Sequence, residues 1–190
     1  MTNITHSLPD FLQGTQVSEE DRPNFWQSMV KGAEGAAVMF DGGFMHGMML
    51  ETDIMLAARN NAENYGAGSW NYCVLDEEKQ LFFMYPDQKQ LYVPKEDLLD
   101  ACHEYGITHF TAQAYGFYVS LLAMDTHAQK TGDAHWRKVC ADMRTYMEDT
   151  ISAQTEEKWS EHRWYNEDCP EPARRCFEAY GLMVGLLDGW

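Results

Sequence analysis

Residues 65–86 read YGAGSWNYCVLDEEKQLFFMYP, and this stretch decides the fold. Two aromatic-rich runs flank a short charged turn at residues 76–79, which is the pattern of a β-hairpin. Strict alternation places two sets of residues on one face: Trp70, Tyr72 and Val74 from the first strand, and Leu81, Phe83 and Tyr85 from the second. Phe82 and Met84 would point to the other face, so we expect both faces to be at least partly covered. A third short strand is predicted at residues 90–93.

Segments outside the hairpin show the apolar spacing of amphipathic helices. The predicted helices are residues 50–64 with Thr52 as a candidate cap, 95–106, 108–124, 134–149 with Asp133 as the N-cap, and a short helix containing Trp159. Glycine-rich sequence before residue 50 favours a short helix and a loop there. The sequence therefore predicts an α+β fold: a small antiparallel β-sheet, made of the hairpin and a short third strand, packed with several α-helices.

The length of 190 residues suits a single compact domain. Residues 1–21 are polar and are predicted to form a loose N-terminal arm. Residues 22–150 form the α+β domain in this interpretation, and residues 151–190 form a helical C-terminal extension packed on the same domain. The N-terminal sequence lacks the pattern of a secretory signal, and no apolar run reaches membrane-spanning length. We therefore expect a cytoplasmic protein in which the five cysteines are free thiols.

The net charge is −16, which argues against direct binding to nucleic acid or to an anionic membrane. A basic partner remains compatible with this charge. The net charge alone is too low for mimicry of DNA. A charge of −16 on a surface of about 9,300 Å² gives roughly one charge per 600 Å², whereas DNA has about one per 100 Å². Mimicry would need the acids gathered on one face.

Recognisable catalytic motifs, such as a phosphate-binding glycine loop or a nucleophile elbow, do not occur in the sequence. His127 and His135 are eight residues apart, which does not place them on one helical face. A zinc site formed by His162, Cys169 and Cys176 lacks the short ligand spacing of structural sites. The carboxylates of residues 76–78 are better explained by a solvated turn than by a catalytic pair. We therefore expect no catalytic residue, cofactor or metal.

The order of several short motifs resembles the ArdB/KlcA antirestriction family. The hairpin residues that carry the likeness are Tyr65, Gly68, Trp70, Tyr72, Leu75, Phe82, Phe83, Met84, Pro86 and Asp87. Further motifs are Arg22 with Phe25 and Trp26, then Gly106 and Ile107 before a central helix, and then a helix that opens with His135 and Trp136 and passes Arg144 and Tyr146. The likeness covers residues 22–150. Gln27 replaces an expected proline, residues 76–79 replace an asparagine-glycine turn, and residues 151–190 extend past the usual end.

This resemblance implies an α+β protein, encoded on a plasmid or phage, that relieves restriction by host type I restriction-modification enzymes. Proteins of this family act by binding or interference without known catalysis, so no catalytic residue is transferred. The expected partner is a host restriction-modification complex. Candidate partner-binding residues are the acids of two short segments: Asp76, Glu77, Glu78, Glu96, Asp97 and Asp100.

Three alternatives remain open from the sequence. The protein could act as a partial DNA mimic that occupies the basic DNA-binding channel of a defence enzyme. It could be a small metal-dependent hydrolase that uses His127, His135 or the pair of Cys169 and Cys176. It could also be an accessory protein with residues 182–190 as a protein-binding patch.

Overall fold

The computed structural model describes residues 14–30, 44–88, 90–95 and 109–159, and these residues adopt the predicted α+β architecture. In chain order the elements are β1 (Thr15–Gln16), α1 (Arg22–Met29), α2 (Phe44–Asn61), β2 (Trp70–Asp76), β3 (Leu81–Pro86), α3 (Ala112–Thr131) and α4 (Ala134–Trp159). The strands form an antiparallel sheet in the order β1-β2-β3. The predicted hairpin is therefore confirmed as β2 and β3.

The register of the hairpin differs from the one that strict alternation predicts. Tyr72 pairs with Met84 and Val74 pairs with Phe82, so these residues share a face that Phe83 does not. The cause is a register shift between Val74 and Asp76, which inserts Leu75 as an extra residue in β2. One extra residue moves every following side chain to the opposite face. The prediction that Phe83 and Tyr85 share a face with Tyr72 is therefore wrong.

Both faces of the hairpin are covered, as predicted. The neighbours Phe82 and Phe83 point in opposite directions, and neither has any exposed surface. Phe25 and Trp26 of α1 pack edge-on against Phe82, with ring centroids 5.2 and 5.5 Å away. On the other face, Phe117 of α3 packs edge-on against Phe83 at 5.8 Å. The sheet is therefore the middle layer between α1 and α3, which explains the crowding of aromatic residues in this stretch.

Helix α3 also packs against the backbone of β3 at its outer edge. The Met84 N–H donates a hydrogen bond to the Ser120 hydroxyl at 3.0 Å, and that hydroxyl donates to the Met84 carbonyl at 3.3 Å. Gly116, one turn earlier, allows this approach, because a Cβ there would lie 2.3 Å from the Met84 carbonyl oxygen. A buried backbone group without a hydrogen-bond partner destabilises a fold. The Ser120 hydroxyl therefore supplies the partner for the Met84 N–H and carbonyl that a neighbouring strand would otherwise provide.

The helix bounds differ from those that the apolar patterns predict. Helix α2 ends at Asn61 instead of residue 64 and α3 begins at Ala112 instead of residue 108, whereas the start of α2 and the ends of α3 and α4 extend further. Helix α2 begins at Phe44, so Thr52 lies inside it and donates to the Met48 carbonyl instead of capping the helix. Helix α3 continues to Thr131 and ends at Gly132, whose φ of 72° is left-handed. Asp133 caps α4 as predicted, because its carboxylate accepts the His135 N–H at 2.8 Å.

Helix α4 runs without a break to Trp159, so it crosses the predicted boundary between residues 150 and 151. Its buried residues are Trp136, Val139, Cys140, Met143 and Met147, which is the predicted apolar face. The residues beyond 159 lie outside the described part of the chain. The predicted short helix containing Trp159 is thus the end of α4 instead of a separate element.

The third strand lies at a different position from the predicted one. It is β1, which comes from the segment predicted to be a loose arm, and it pairs Thr15 with Val74. Within residues 90–93, Tyr92 forms an isolated bridge with Phe110, with N–H to carbonyl distances of 2.8 and 2.9 Å. This bridge, together with the bond from the Glu63 N–H to the Val93 carbonyl at 2.9 Å, anchors the segment without extending the sheet. Residues 1–13 and, apart from Lys95, the predicted helix at residues 95–106 lie outside the described residues.

Candidate functional site

The acidic turn between β2 and β3 contains three of the predicted partner-binding residues. Asp76 accepts the Lys79 N–H at 2.9 Å, so its carboxylate stabilises the turn. Glu77 and Glu78 are exposed. The other three candidates, Glu96, Asp97 and Asp100, lie outside the described residues. Of the acids in this turn, the two glutamates are therefore the ones that can meet a partner.

A second acidic turn precedes α1. The Ser18 hydroxyl donates to the Asp21 carboxylate at 2.7 Å, and the Asp21 N–H donates to the Ser18 hydroxyl at 3.2 Å. These bonds fix a tight turn that leaves Glu19 and Glu20 exposed. The next residue, Arg22, places its guanidinium 5.0 Å from the centre of the Tyr72 ring, in a cation–π contact. Arg22, which follows the acidic turn, therefore directs its positive charge toward the core.

A surface groove connects the two turns, and we call it the acidic groove. It has a volume of about 630 Å³ and is lined by Thr15, Gln16, Val17, Ser18, Asp21, Asn24, Phe25, Ser28, Met29, Val74, Leu75 and Glu77. Asp21 and Glu77 supply two carboxylates, while no lysine or arginine is among these lining residues. Val17, Val74 and Leu75 are partly buried and add apolar surface, while Phe25 and Met29 are buried beneath it. This combination suits a cationic side chain with an apolar stem, such as arginine or lysine.

A second groove lies between α2 and α3, and we call it the α2–α3 groove. It has a volume of about 470 Å³ and is lined by Asp53, Leu56, Ala57, Asn60, Asn61, Lys95, Leu122, Ala123, Thr126, His127 and Lys130. The Nδ1 of His127 lies 3.9 Å from an Asp53 carboxylate oxygen. The Lys95 ammonium donates to the Arg59 carbonyl at 2.9 Å. Sequence reasoning missed this site, because the contact between Asp53 and His127 joins two helices that are far apart in the chain.

His127 and His135 meet at Trp136, which spacing along one helix did not predict. Both imidazoles lie edge-on to the indole, with ring centroids 6.1 and 4.9 Å away. Burial lowers the pKa of His135, which outweighs the opposing effect of Asp133, while Lys138 lowers it further. The neutral imidazole is therefore favoured at this position. The pairing with Trp136 is an aromatic packing contact in the core between α3 and α4.

The described cysteines are poor nucleophiles. Burial raises the pKa of Cys73 to about 11 and that of Cys140 to about 12, with Asp125 adding to the latter shift and Arg144 opposing it. A thiolate is the reactive form of cysteine, and it is scarce at neutral pH when the pKa is this high. In the described part of the chain, no group of three His, Cys, Asp or Glu side chains could hold a metal ion. His162, Cys169 and Cys176 lie outside that part.

Two of the motifs that carry the family resemblance, the one at Arg22, Phe25 and Trp26 and the hairpin, contact each other. Phe25 and Trp26 pack against Tyr72 with ring centroids 5.1 and 5.8 Å away, and Arg22 lies over the same ring. The Trp70 indole N–H donates to the Tyr65 hydroxyl at 3.2 Å. Burial, followed by the effect of the Glu51 carboxylate of α2, raises the pKa of Tyr72, while the charge of Arg22 opposes the shift. These residues form the aromatic core beside the acidic groove.

Comparison with known proteins leaves the family prediction open. No protein-family model matches the chain, and a search of curated proteins found no similar sequence. Among the described helices, none is long and apolar enough to cross a membrane. The relation to the ArdB/KlcA family therefore stays a prediction from the order of motifs.

Proposed function

We propose that the protein is a cytoplasmic antirestriction protein that counters host type I restriction-modification enzymes by binding, without catalysis. The observation that carries this proposal is the acidic groove, whose lining includes two carboxylates and, among the residues that the structure describes, no lysine or arginine. A restriction enzyme must hold DNA through lysine and arginine side chains, so it presents basic surfaces to any inhibitor. The order of motifs that resembles the ArdB/KlcA family supports the same target.

The contact in this proposal is a basic side chain of the restriction complex inserted into the acidic groove. Its stem would cover Val17 and Leu75, and its charged end would meet Asp21 or Glu77. Exposed Glu19, Glu20 and Glu78 beside the groove would attract the partner at longer range. The high net negative charge of the whole chain acts in the same direction.

The experiment is the plating efficiency of unmodified phage on cells with a type I restriction system. Wild-type protein should restore plating while modification continues. Glu77→Lys should lower that effect by about tenfold, because a rim charge changes the rate of association. Glu63→Lys is the matched control, because Glu63 is also exposed, the change in net charge is the same, and Glu63 does not line the acidic groove. Unrestored plating with abundant folded wild-type protein would refute the proposal.

The same acidic groove permits a second mode of action, partial mimicry of DNA. A mimic that occupies the basic DNA channel should compete directly with DNA, and its binding should weaken steeply with salt. A protein that binds elsewhere on the complex should not be displaced by DNA. Measuring complex formation with and without a DNA duplex, at two salt concentrations, separates these modes.

A further inference from the structure

The two lysines of the α2–α3 groove lie at opposite ends of it. Asp53 approaches His127, while the Ala58 carbonyl, further along α2, accepts the hydroxyl of Tyr115, which is earlier in α3. The two helices therefore run in opposite senses. Lys95 is bonded to the Arg59 carbonyl, six residues beyond Asp53, which corresponds to about 9 Å along a helix.

Lys130 lies at the other end of the groove. It follows His127 by nearly one turn of α3, so it lies beyond the contact of His127 with Asp53, on the side away from Lys95. The Lys95 ammonium and the backbone of Lys130 are thus separated by on the order of 10 Å along the groove. A lysine ammonium has three N–H donors, and the Arg59 carbonyl accepts one from Lys95. Both ends of the groove can therefore donate hydrogen bonds to an anion.

The middle of the groove is apolar. Leu56 and Ala57 of α2 face the groove from one side, and Leu122 and Ala123 of α3 face it from the other. Leu56 is 49% exposed, so it presents aliphatic surface to water in the groove. A ligand with a hydrocarbon segment would remove this surface from water. The volume of about 470 Å³ lies in the ordinary range of small-molecule sites.

We propose that the α2–α3 groove binds a small straight-chain dicarboxylate, with one carboxylate at Lys95, the other at Lys130, and the hydrocarbon chain over Leu56 and Leu122. Asn60, Asn61 and Thr126 line the same groove and add polar groups beside the carboxylates. Among the described residues that line the groove, Asp53 is the one acid, and it lies beside His127. The site is separate from the acidic groove in both its lining residues and its charge.

The test is isothermal titration calorimetry of the full chain at low salt with dicarboxylates from succinate to sebacate. We expect saturable binding that is strongest for a chain of intermediate length, with octanoate and the neutral diamide of the best diacid binding more weakly. Lys95→Met and Lys130→Met should each weaken binding about tenfold, since each removes a charge-assisted hydrogen bond. Lys138→Met is the matched control and should bind as wild type, because exposed Lys138 lies on α4 and pairs with Asp142.

Two further variants make the test independent of folding defects. Lys130→Arg retains the positive charge and should restore most of the affinity that Lys130→Met loses. Asp53→Asn removes the carboxylate from the groove and should tighten binding a few-fold. The proposal is refuted by the absence of saturable heat for every diacid, by equal affinity of wild type and both methionine variants, or by equal binding of sulfate. None of these measurements depends on restriction of phage DNA. Failure of the dicarboxylate proposal can therefore be distinguished from failure of the antirestriction proposal.

Discussion

The two outer edges of the sheet are held in different ways. At β3, helix α3 contacts the strand backbone directly, through the Ser120 hydroxyl on Met84 and the close approach at Gly116. At the other edge, β1 is only two residues long, and both are exposed. The Val17 N–H extends this pairing by a bond of 2.8 Å to the Tyr72 carbonyl.

The two edges therefore contribute differently: the β3 edge to the stability of the fold, and the β1 edge to the surface proposed for binding. The β3 edge is buried against α3, so changes there affect the whole core. The β1 edge borders the acidic groove, where exposed polar residues can change without disturbing that core. We therefore expect substitutions at the β3 edge to lower the free energy of unfolding much more than substitutions at the β1 edge.

The largest effect is expected for Gly116→Ala at the β3 edge. The added Cβ would lie 2.3 Å from the Met84 carbonyl oxygen and from the Tyr85 Cβ, so helix and strand must separate. We expect a loss of about 3 kcal/mol in the free energy of unfolding, measured by urea denaturation. Gly66→Ala is the control, because a Cβ there meets open space. Equal stability of the two variants would show that α3 does not pack closely on β3.

Ser120→Ala should have the next largest effect. It leaves the buried Met84 N–H and carbonyl without the hydroxyl that both contact, at a cost of about 2 kcal/mol. Hydrogen exchange of the Met84 amide should accelerate in parallel. Ser69→Ala is a suitable comparison, because exposed Ser69 makes only a long contact of 3.4 Å with Asp87. A neutral Ser120→Ala would contradict the proposed role of this hydroxyl at the sheet edge.

Val17→Pro tests the β1 edge. Proline cannot donate the bond to Tyr72, so we expect a loss of about 1 kcal/mol relative to Val17→Ala, which controls for the shortened side chain. Thermal unfolding followed by circular dichroism measures the difference. If Val17→Pro destabilises the protein as much as Gly116→Ala, the two edges are equivalent and the comparison fails.

Gln80→Gly should have the smallest effect, and it should stabilise the protein. Gln80 is the last residue of the turn between β2 and β3, and its φ of 59° is one that residues with a Cβ rarely adopt. We expect a gain of about 0.5 kcal/mol in the free energy of unfolding by urea denaturation. Lys79→Gly should instead lower stability, because φ at Lys79 is not positive. The same sign for both variants would exclude backbone strain as the cause.

The sequence predicted the elements better than their pairing. The hairpin, the Asp133 cap and the apolar face of α4 follow from local patterns, and the structure confirms them. The face assignment failed because the extra residue Leu75 cannot be recognised from the sequence of a strand whose two sides are both largely buried. A strand as short as β1 has no detectable period either. The polar ends of α3 and α4 were also missed, since helix period is read from apolar residues.

The candidate sites were predicted in part. The exposed glutamates of the hairpin turn could be named from the sequence, because charged residues between two apolar strands belong to a solvated turn. Their neighbours across the acidic groove, such as Asp21, could not be identified, since that requires the packing of α1 on β2. The same holds for Asp53 and His127, whose contact exists only once α2 and α3 are packed together.

The role of Ser120 also bears on how the protein avoids aggregation. An exposed strand edge can recruit the edge of another molecule, and repeated pairing of this kind builds fibrils. Because Ser120 already occupies both backbone groups of Met84, the β3 edge cannot add a strand from a second molecule at that position. Intermolecular strand pairing is left with the short β1 edge, which offers too few backbone groups for a stable template. One buried hydroxyl thus blocks intermolecular strand pairing at Met84 in the folded protein.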